Sequence, residues 1–164
     1  LLSESPPASQ VMKPAVFQDL GNLLLAFVML WAYVSFSQYL IIWSGNLPEE
    51  IPWYLHRGRN AWQWVAAAIA LFHFAVPFLL LLARRNKRNK AILGGTAIAV
   101  LMMRWTDIYW LIAPAFRPSF GIHLLDVALF VLIGAIWVYV FLIELNKRAL
   151  FPLRDPNFVL EKAA

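Results

Sequence analysis

The chain has 164 residues, of which 62% are apolar and 14% are charged, and its mean hydropathy is +0.65. Soluble domains are about 45–50% apolar and about 25% charged, so this composition indicates an integral membrane protein and excludes an ordinary soluble domain. The length of its apolar runs predicts an all-α fold. There is no cysteine, which excludes disulfides, a thiolate nucleophile and a cysteine-ligated metal or iron–sulfur cluster. The net charge of +5 is interpreted as a signal of membrane topology, and nothing in it points to nucleic acid.

Residues 1–15 are rich in serine and proline, and this composition predicts a loop or linker before the first helix. Leu1 is not a start methionine, and no basic segment precedes an apolar one as it does in a signal peptide. We therefore expect the chain to be the C-terminal portion of a longer polypeptide.

Four apolar runs are long enough to cross a bilayer, which requires about 20 helical residues. They predict transmembrane helices at 17–43, 61–83, 91–113 and 123–145. The connections between them are short, which favours an up-down-up-down four-helix bundle over residues 16–148. Residues 149–164 are predicted to be a cytoplasmic tail. The longest connection, 44–60, combines two prolines with aromatic and charged residues and is expected to be an ordered loop at the membrane surface.

Basic residues are distributed unevenly between the two ends of the predicted helices. Segment 84–90 alone holds five lysines and arginines, and the positive-inside rule assigns such a segment to the cytoplasm. With this assignment, ten basic residues lie on the cytoplasmic side and three on the opposite side. Both ends of the chain are therefore expected in the cytoplasm.

Polar residues occur inside the first two predicted helices. Trp31, Ser35 and Gln38 are spaced to share one face of a helix, and polar side chains of membrane helices usually face other helices. In the second helix, His73 lies near the centre, four residues before Pro77. Because proline has no N–H, the His73 carbonyl loses its helical partner and a bend is expected. The chain has no second histidine at mid-membrane depth, so a haem-ligand role is not expected.

Two acid–base pairs follow in the last two helices. Arg104 and Asp107 are three residues apart and share a helix face. An unpaired charge at mid-bilayer costs at least ~2.5–3.5 kcal/mol. Arg104 is too far from the helix end for its side chain to extend to the membrane surface and act as an anchor there. A buried ion pair is therefore predicted. His123 and Asp126 have the same spacing at the start of the fourth helix, where an anion is also favourable on its own.

The predicted topology places these polar residues in one half of the membrane, with the histidine of the second helix near the middle. The predicted cluster is Ser35, Gln38, His73, Arg104, Asp107, His123 and Asp126. Such groups are suited to a proton path, to binding the carbonyl or hydroxyl of a quinone, or only to fixing the helix packing. No catalytic group and no metal site is predicted.

Six stretches are distinctive: 19–24, 31–43, 46–51, 73–81, 104–107, and Pro152 with Asp155-Pro156. Together they resemble the ActF membrane subunit of bacterial alternative complex III, within the NrfD/polysulfide-reductase-like membrane proteins. The resemblance covers nearly the whole chain and is most specific from Trp31 to Glu50. Members of this family have two four-helix bundles and flanking helices, so this chain would match only the C-terminal portion.

The resemblance implies a membrane subunit of a quinol:electron-acceptor oxidoreductase in the bacterial inner membrane, acting as a scaffold and a proton conduit. It implies no cofactor bound by this chain. Quinol, haem c and iron–sulfur clusters are expected in partner subunits, namely a multihaem cytochrome, an iron–sulfur subunit and a sister NrfD-like subunit. Two alternatives stay open at this point: a pure assembly scaffold without a transport role, and a small-solute membrane transporter.

Overall fold

The structure, a computed structural model, describes residues 14–58, 61–117 and 120–147. The described residues form helices and their connections, with no β-strand among them. The helices in chain order are α1 (Pro14–Gly45), α2 (Ile51–Arg57), α3 (Trp62–Leu82), α4 (Arg84–Arg88), α5 (Lys90–Ile112) and α6 (Leu124–Asn146). A 3₁₀ turn, Ala113–Ala115, continues from α5.

Helices α1, α3, α5 with its 3₁₀ turn, and α6 are long and apolar enough to cross a membrane. This confirms the prediction of an all-helical chain with four candidate membrane-spanning helices. The predicted tail, 149–164, lies outside the described residues, as does the predicted linker up to residue 13. Pro14 and Ala15, also assigned to the linker, are instead the first residues of α1, because proline is well suited to the first turn of a helix.

Two short helices occur where the sequence predicted only loops. Helix α2 lies in the connection after α1, and Pro52 is tolerated in its first turn, where the N–H has no helical partner. Asn46 adopts the left-handed backbone conformation, with φ of 48°, directly after α1, a common way to end a helix. Helix α4 forms within the basic segment, and the Asn89 side chain then accepts hydrogen bonds from the first backbone N–H groups of α5.

Helix α3 contains a π-helical segment in place of the predicted simple bend. The segment is Ala70–Ala75, between the α-helical parts Trp62–Ile69 and Val76–Leu82. Its hydrogen bonds reach one residue further than those of an α-helix, and the Val76 N–H donates to the Leu71 carbonyl. The segment ends two residues before Pro77. Proline cannot donate a backbone hydrogen bond, so the irregular hydrogen bonding lies where proline already disrupts the helix.

The chain divides into two compact units, one comprising α1 to α5 within Met12–Phe120 and the other containing α6. Inside the first unit, the buried apolar core is small for its length and consists of Val28, Trp62, Ile69, Leu81, Leu93 and Ala113. Many large apolar side chains on the long helices are exposed, as expected for surfaces that contact lipid. The polar residues near this core form the candidate functional site.

Candidate functional site

Asp107 is the centre of a polar cluster in the first unit. Its Oδ2 atom accepts a hydrogen bond of 3.0 Å from the Trp31 Nε1–H on α1 and one of 2.5 Å from Arg104 Nη1 on its own helix. Two donors therefore converge on one carboxylate oxygen, and bonds to a charged acceptor are the strong class of protein hydrogen bond. The Trp31 bond links residues 76 positions apart and ties α1 to α5.

The Arg104–Asp107 pair is buried at one partner only. The Asp107 side chain is 8% exposed, whereas the Arg104 side chain is 48% exposed. The sequence predicted a buried pair, and this is correct for the carboxylate alone. Arg104 lies on an exposed face of α5, and its side chain is long enough for the guanidinium to reach the Asp107 carboxylate.

His73 also belongs to the cluster and lies inside the π-helical segment of α3. It is 3% exposed, and its ring centroid lies 4.2 Å from that of Trp31 at an interplanar angle of 52°. The Met103 backbone provides a hydrogen-bonding partner for the imidazole, whereas Nδ1 has none within the described ranges. Trp31 thus contacts both polar residues: its N–H binds Asp107 and its ring packs against His73.

A cavity of about 180 Å³ opens on the Asp107 side of this cluster. Water occupies about 30 Å³ per molecule in the liquid, so the cavity has room for several. Ser35, Gln38 and Asp107 supply polar groups to its wall, and aromatic rings form much of the rest. The full lining is Trp31, Ser35, Gln38, Tyr39, Trp53, Tyr54, Ala66, Ile69, Asp107, Trp110 and Leu111.

Helix α2 contributes Trp53 and Tyr54 to the wall of this cavity and is held in place by Arg57. Its guanidinium is buried, 3% exposed, and donates to the carbonyls of Leu111 at 2.7 Å, Trp110 at 3.3 Å and Trp53 at 3.1 Å. The Arg57 Cζ atom also lies 3.7 Å from the Trp53 ring centroid, within cation–π range. A cation at the C-terminal carbonyls of α5 is favoured by the helix dipole, so Arg57 fixes α2 on the end of α5.

Burial changes the acid–base properties of two residues of α2. It lowers the pKa of Arg57 below its usual value, and the neighbouring Tyr54 acts in the opposite direction. The pKa of Tyr54 is raised above 10.0, mainly by burial and further by Tyr39, while Arg57 lowers it. Arginine nevertheless stays protonated at physiological pH. Helix α2 therefore carries a positive guanidinium, and its Tyr54 presents a neutral phenol to the cavity.

The structure brings together five of the seven predicted site residues, all in the first unit. Ser35, Gln38 and Asp107 line the cavity, Arg104 binds Asp107, and His73 lies behind Trp31. Trp31 itself was missed as a site residue, although it shares the predicted face of α1. The signal that could have identified it is the indole N–H, which usually finds a polar partner when tryptophan is buried.

His123 and Asp126 belong to the second unit, at the start of α6. The backbone N–H of His123 donates to Asp126 Oδ2 at 3.0 Å, an arrangement that satisfies a free donor at a helix N-terminus. This contact gives Asp126 a local structural role. That these two residues join the cluster around Asp107 stays a prediction.

No group of three or more His, Asp or Glu residues in the described part of the chain could hold a metal ion. Neither the protein-family models nor the curated proteins compared with this sequence match it.

Proposed function

We propose that this chain is a membrane subunit of a quinol:electron-acceptor oxidoreductase of the alternative complex III type. In this proposal it crosses a bacterial inner membrane four times with both ends in the cytoplasm, as an ActF-like C-terminal portion. It serves as a scaffold and provides a proton-conducting polar path. Quinol, haem c and iron–sulfur clusters belong to its partners: a multihaem cytochrome, an iron–sulfur subunit and a sister NrfD-like subunit.

The observation that carries the proton path is the cavity lined by Ser35, Gln38 and Asp107, with His73 one ring beyond it. Carboxylates, imidazoles and held water are the groups that conduct protons inside membranes. Arg104 places its guanidinium directly beside the Asp107 carboxylate of this path. With α2 on the outer side, the cavity lies toward the outer surface and the path runs inward to His73.

Trp31 contacts both groups at the inner end of this path. Its indole N–H donates but cannot accept a proton, so the ring does not itself relay protons between Asp107 and His73. In this proposal a water molecule beside the ring carries the proton between the two groups, and the unpartnered Nδ1 of His73 is available to bind it.

The test is Asp107→Asn in the purified complex, with proton release and quinol oxidation as the measurements. Positioned proton-transfer groups typically contribute about 10²–10⁴-fold to a rate, and we expect both rates to fall by at least about tenfold. Glu144→Gln is the matched control, because Glu144 also pairs with a cation three residues away, Lys147, at 2.6 Å, but is 52% exposed. Its rates should equal those of the unchanged protein.

A pure scaffold is the second candidate function, favoured by the Trp31–Asp107 bond that ties distant parts of the chain. If Asp107→Asn assembles and both rates are unchanged, the scaffold is correct and the proton path is wrong. Asp126→Asn examines the predicted contribution of α6 in the same assays. Copurification tests the wider proposal: a multihaem cytochrome should accompany the protein from membranes, and isolation of the chain alone would contradict it.

A further inference from the structure

Helix α4 brings two arginines together on one neutral oxygen. Arg84 Nε and Arg88 Nε each donate to Gln18 Oε1 at 2.9 Å. The two Nε atoms are therefore no more than 5.8 Å apart, twice this hydrogen-bond length. An amide oxygen orients both guanidinium groups but carries no charge, so the two like charges repel each other at short range. Both arginines are exposed, and the site is open to a ligand.

The arginines lie on a helix that is firmly attached to α1. Lys87 Nζ donates to Asn22 Oδ1 at 2.8 Å. Its side chain passes over Gly21, where an added Cβ would lie 2.8 Å from Lys87 Cγ. On the other side, Asn86 Nδ2 donates to the Leu80 carbonyl at 2.9 Å. These contacts fix α4 against its neighbours, so the paired guanidinium groups are held in place before any ligand arrives.

The positive charge of α4 is not neutralised by acidic side chains within the part of the chain that the structure describes. Its basic residues hydrogen bond to the amide oxygens of Gln18 and Asn22, and neither of the ion pairs Arg104–Asp107 and Glu144–Lys147 involves α4. With Nε turned toward Gln18, the terminal nitrogens of Arg84 and Arg88 are suited to bidentate bonds to an oxyanion. A bound anion would relieve the repulsion between them.

The position of α4 favours a phosphate that carries acyl chains. It connects α3 to α5, two of the helices long and apolar enough to span a membrane, and therefore lies at the level of lipid headgroups. Leu79 and Leu82, on the last turns of α3 before α4, are 65% and 54% exposed. An acyl chain can pack on these side chains while its headgroup phosphate meets the arginines, which a free phosphate cannot do.

We propose that Arg84 and Arg88, oriented by Gln18, bind the phosphate of an anionic phospholipid. Basic segments next to membrane helices attract anionic lipids in general. Here the binding is assigned to one pair of guanidinium groups rather than to the net charge of the segment. The site is separate from the cavity around Asp107 and does not rest on the proposed role in electron transfer.

The experiment measures lipid retained by the full chain, purified in detergent with equal amounts of phosphatidylglycerol and phosphatidylcholine, by native mass spectrometry. Arg88→Gln should lower retention of phosphatidylglycerol about fivefold, the effect of about one favourable cation at an anionic surface. Arg85→Gln is the matched control, because it removes the same charge from the same helix. Arg85 is exposed and should leave retention unchanged.

Gln18→Glu supplies a second variant that keeps both arginines. The new carboxylate would neutralise them in place of the lipid, so retention should again fall while circular dichroism shows an unchanged helix content. Equal losses for Arg88→Gln and Arg85→Gln would overturn the proposal in favour of net charge alone. Displacement of the lipid by millimolar inorganic phosphate would also overturn it, since the ligand would then be a free anion. Equal retention of the two lipids would remove the basis for a headgroup site.

Discussion

At the scale of single residues, the indole of Trp31 contacts two groups with different parts of its ring system. Its N–H binds the Asp107 carboxylate and its face packs near His73. Trp31→Phe keeps an aromatic ring beside the imidazole and removes the N–H. Hydrogen bonds to charged groups contribute about 1.5–3 kcal/mol, and we expect the free energy of unfolding to fall by about this amount in denaturant titrations of the detergent-solubilised protein.

The matched control for this variant is Trp64→Phe on α3. Trp64 is 71% exposed, and changes at such positions are usually within about 0.5 kcal/mol. Equal losses of stability in the two variants would show that the smaller ring, and not the missing N–H, causes the effect.

Arg57 permits a second prediction at this scale. Its planar guanidinium reaches two carbonyls at the end of α5 and one within α2, which a single ammonium group cannot reproduce. Arg57→Lys retains the positive charge but leaves buried carbonyls unbound, at a cost of about 1–3 kcal/mol. Thermal unfolding should show a clear loss of stability. Arg85→Lys, an exposed replacement, should show none, and an unchanged Arg57→Lys protein would contradict the assigned role.

The importance of Arg57 could not be predicted from the sequence, because all its hydrogen-bond acceptors are backbone carbonyls. Every residue type has a backbone carbonyl, so the sequence does not mark these acceptors. Two of them belong to Trp110 and Leu111, which follow Arg57 by 53 and 54 residues. The Arg104–Asp107 pair was predictable, since its three-residue spacing is local. The spacing alone does not determine whether each side chain of that pair is buried, because burial depends on packing between helices.

At the scale of elements, the close packing of α4 on α1 depends on Gly21. Gly21→Ala would place a methyl group 2.8 Å from the Lys87 side chain, near the backbone end of that chain, where it has little freedom to move away. We expect a loss of stability of about 1–3 kcal/mol, typical of overpacking. Gly94→Ala is the control, because no atom lies within 4 Å of its added Cβ. Because alanine is the better helix former by up to about 1 kcal/mol, Gly94→Ala should not lower the free energy of unfolding.

The long helices were predictable because each contains a sustained apolar run of membrane-spanning length. The short helices α2 and α4 have seven and five residues, too few to show a helical period against prolines and basic residues. Helix α2 instead forms where Arg57 and the aromatic residues find partners on α5. The sequence indicated the irregularity of α3 through Pro77 but not its form, since a π segment depends on how the neighbouring helices pack.

At the scale of the whole molecule, the proposed topology places Ser44 and Ala83 on opposite sides of the membrane. The chain has no cysteine, so Ser44→Cys and Ala83→Cys each introduce a unique thiol at an exposed position. A membrane-impermeant maleimide should label Ser44→Cys in intact spheroplasts and Ala83→Cys only in inverted vesicles. Labelling of both from the same side would contradict the assignment made from the basic residues.

The π segment makes the exact number of residues in α3 important for the cavity. Because its hydrogen bonds span five residues instead of four, Ala70–Ala75 adds one residue to the helix and turns the two halves of α3 relative to each other. Ala66 and Ile69 thereby face the cavity while Leu81 remains in the core. Deleting one residue from the segment would bring the halves back into phase as a regular helix and rotate one of these surfaces away. Among related sequences, an insertion or deletion here would alter the site more than most substitutions in its lining.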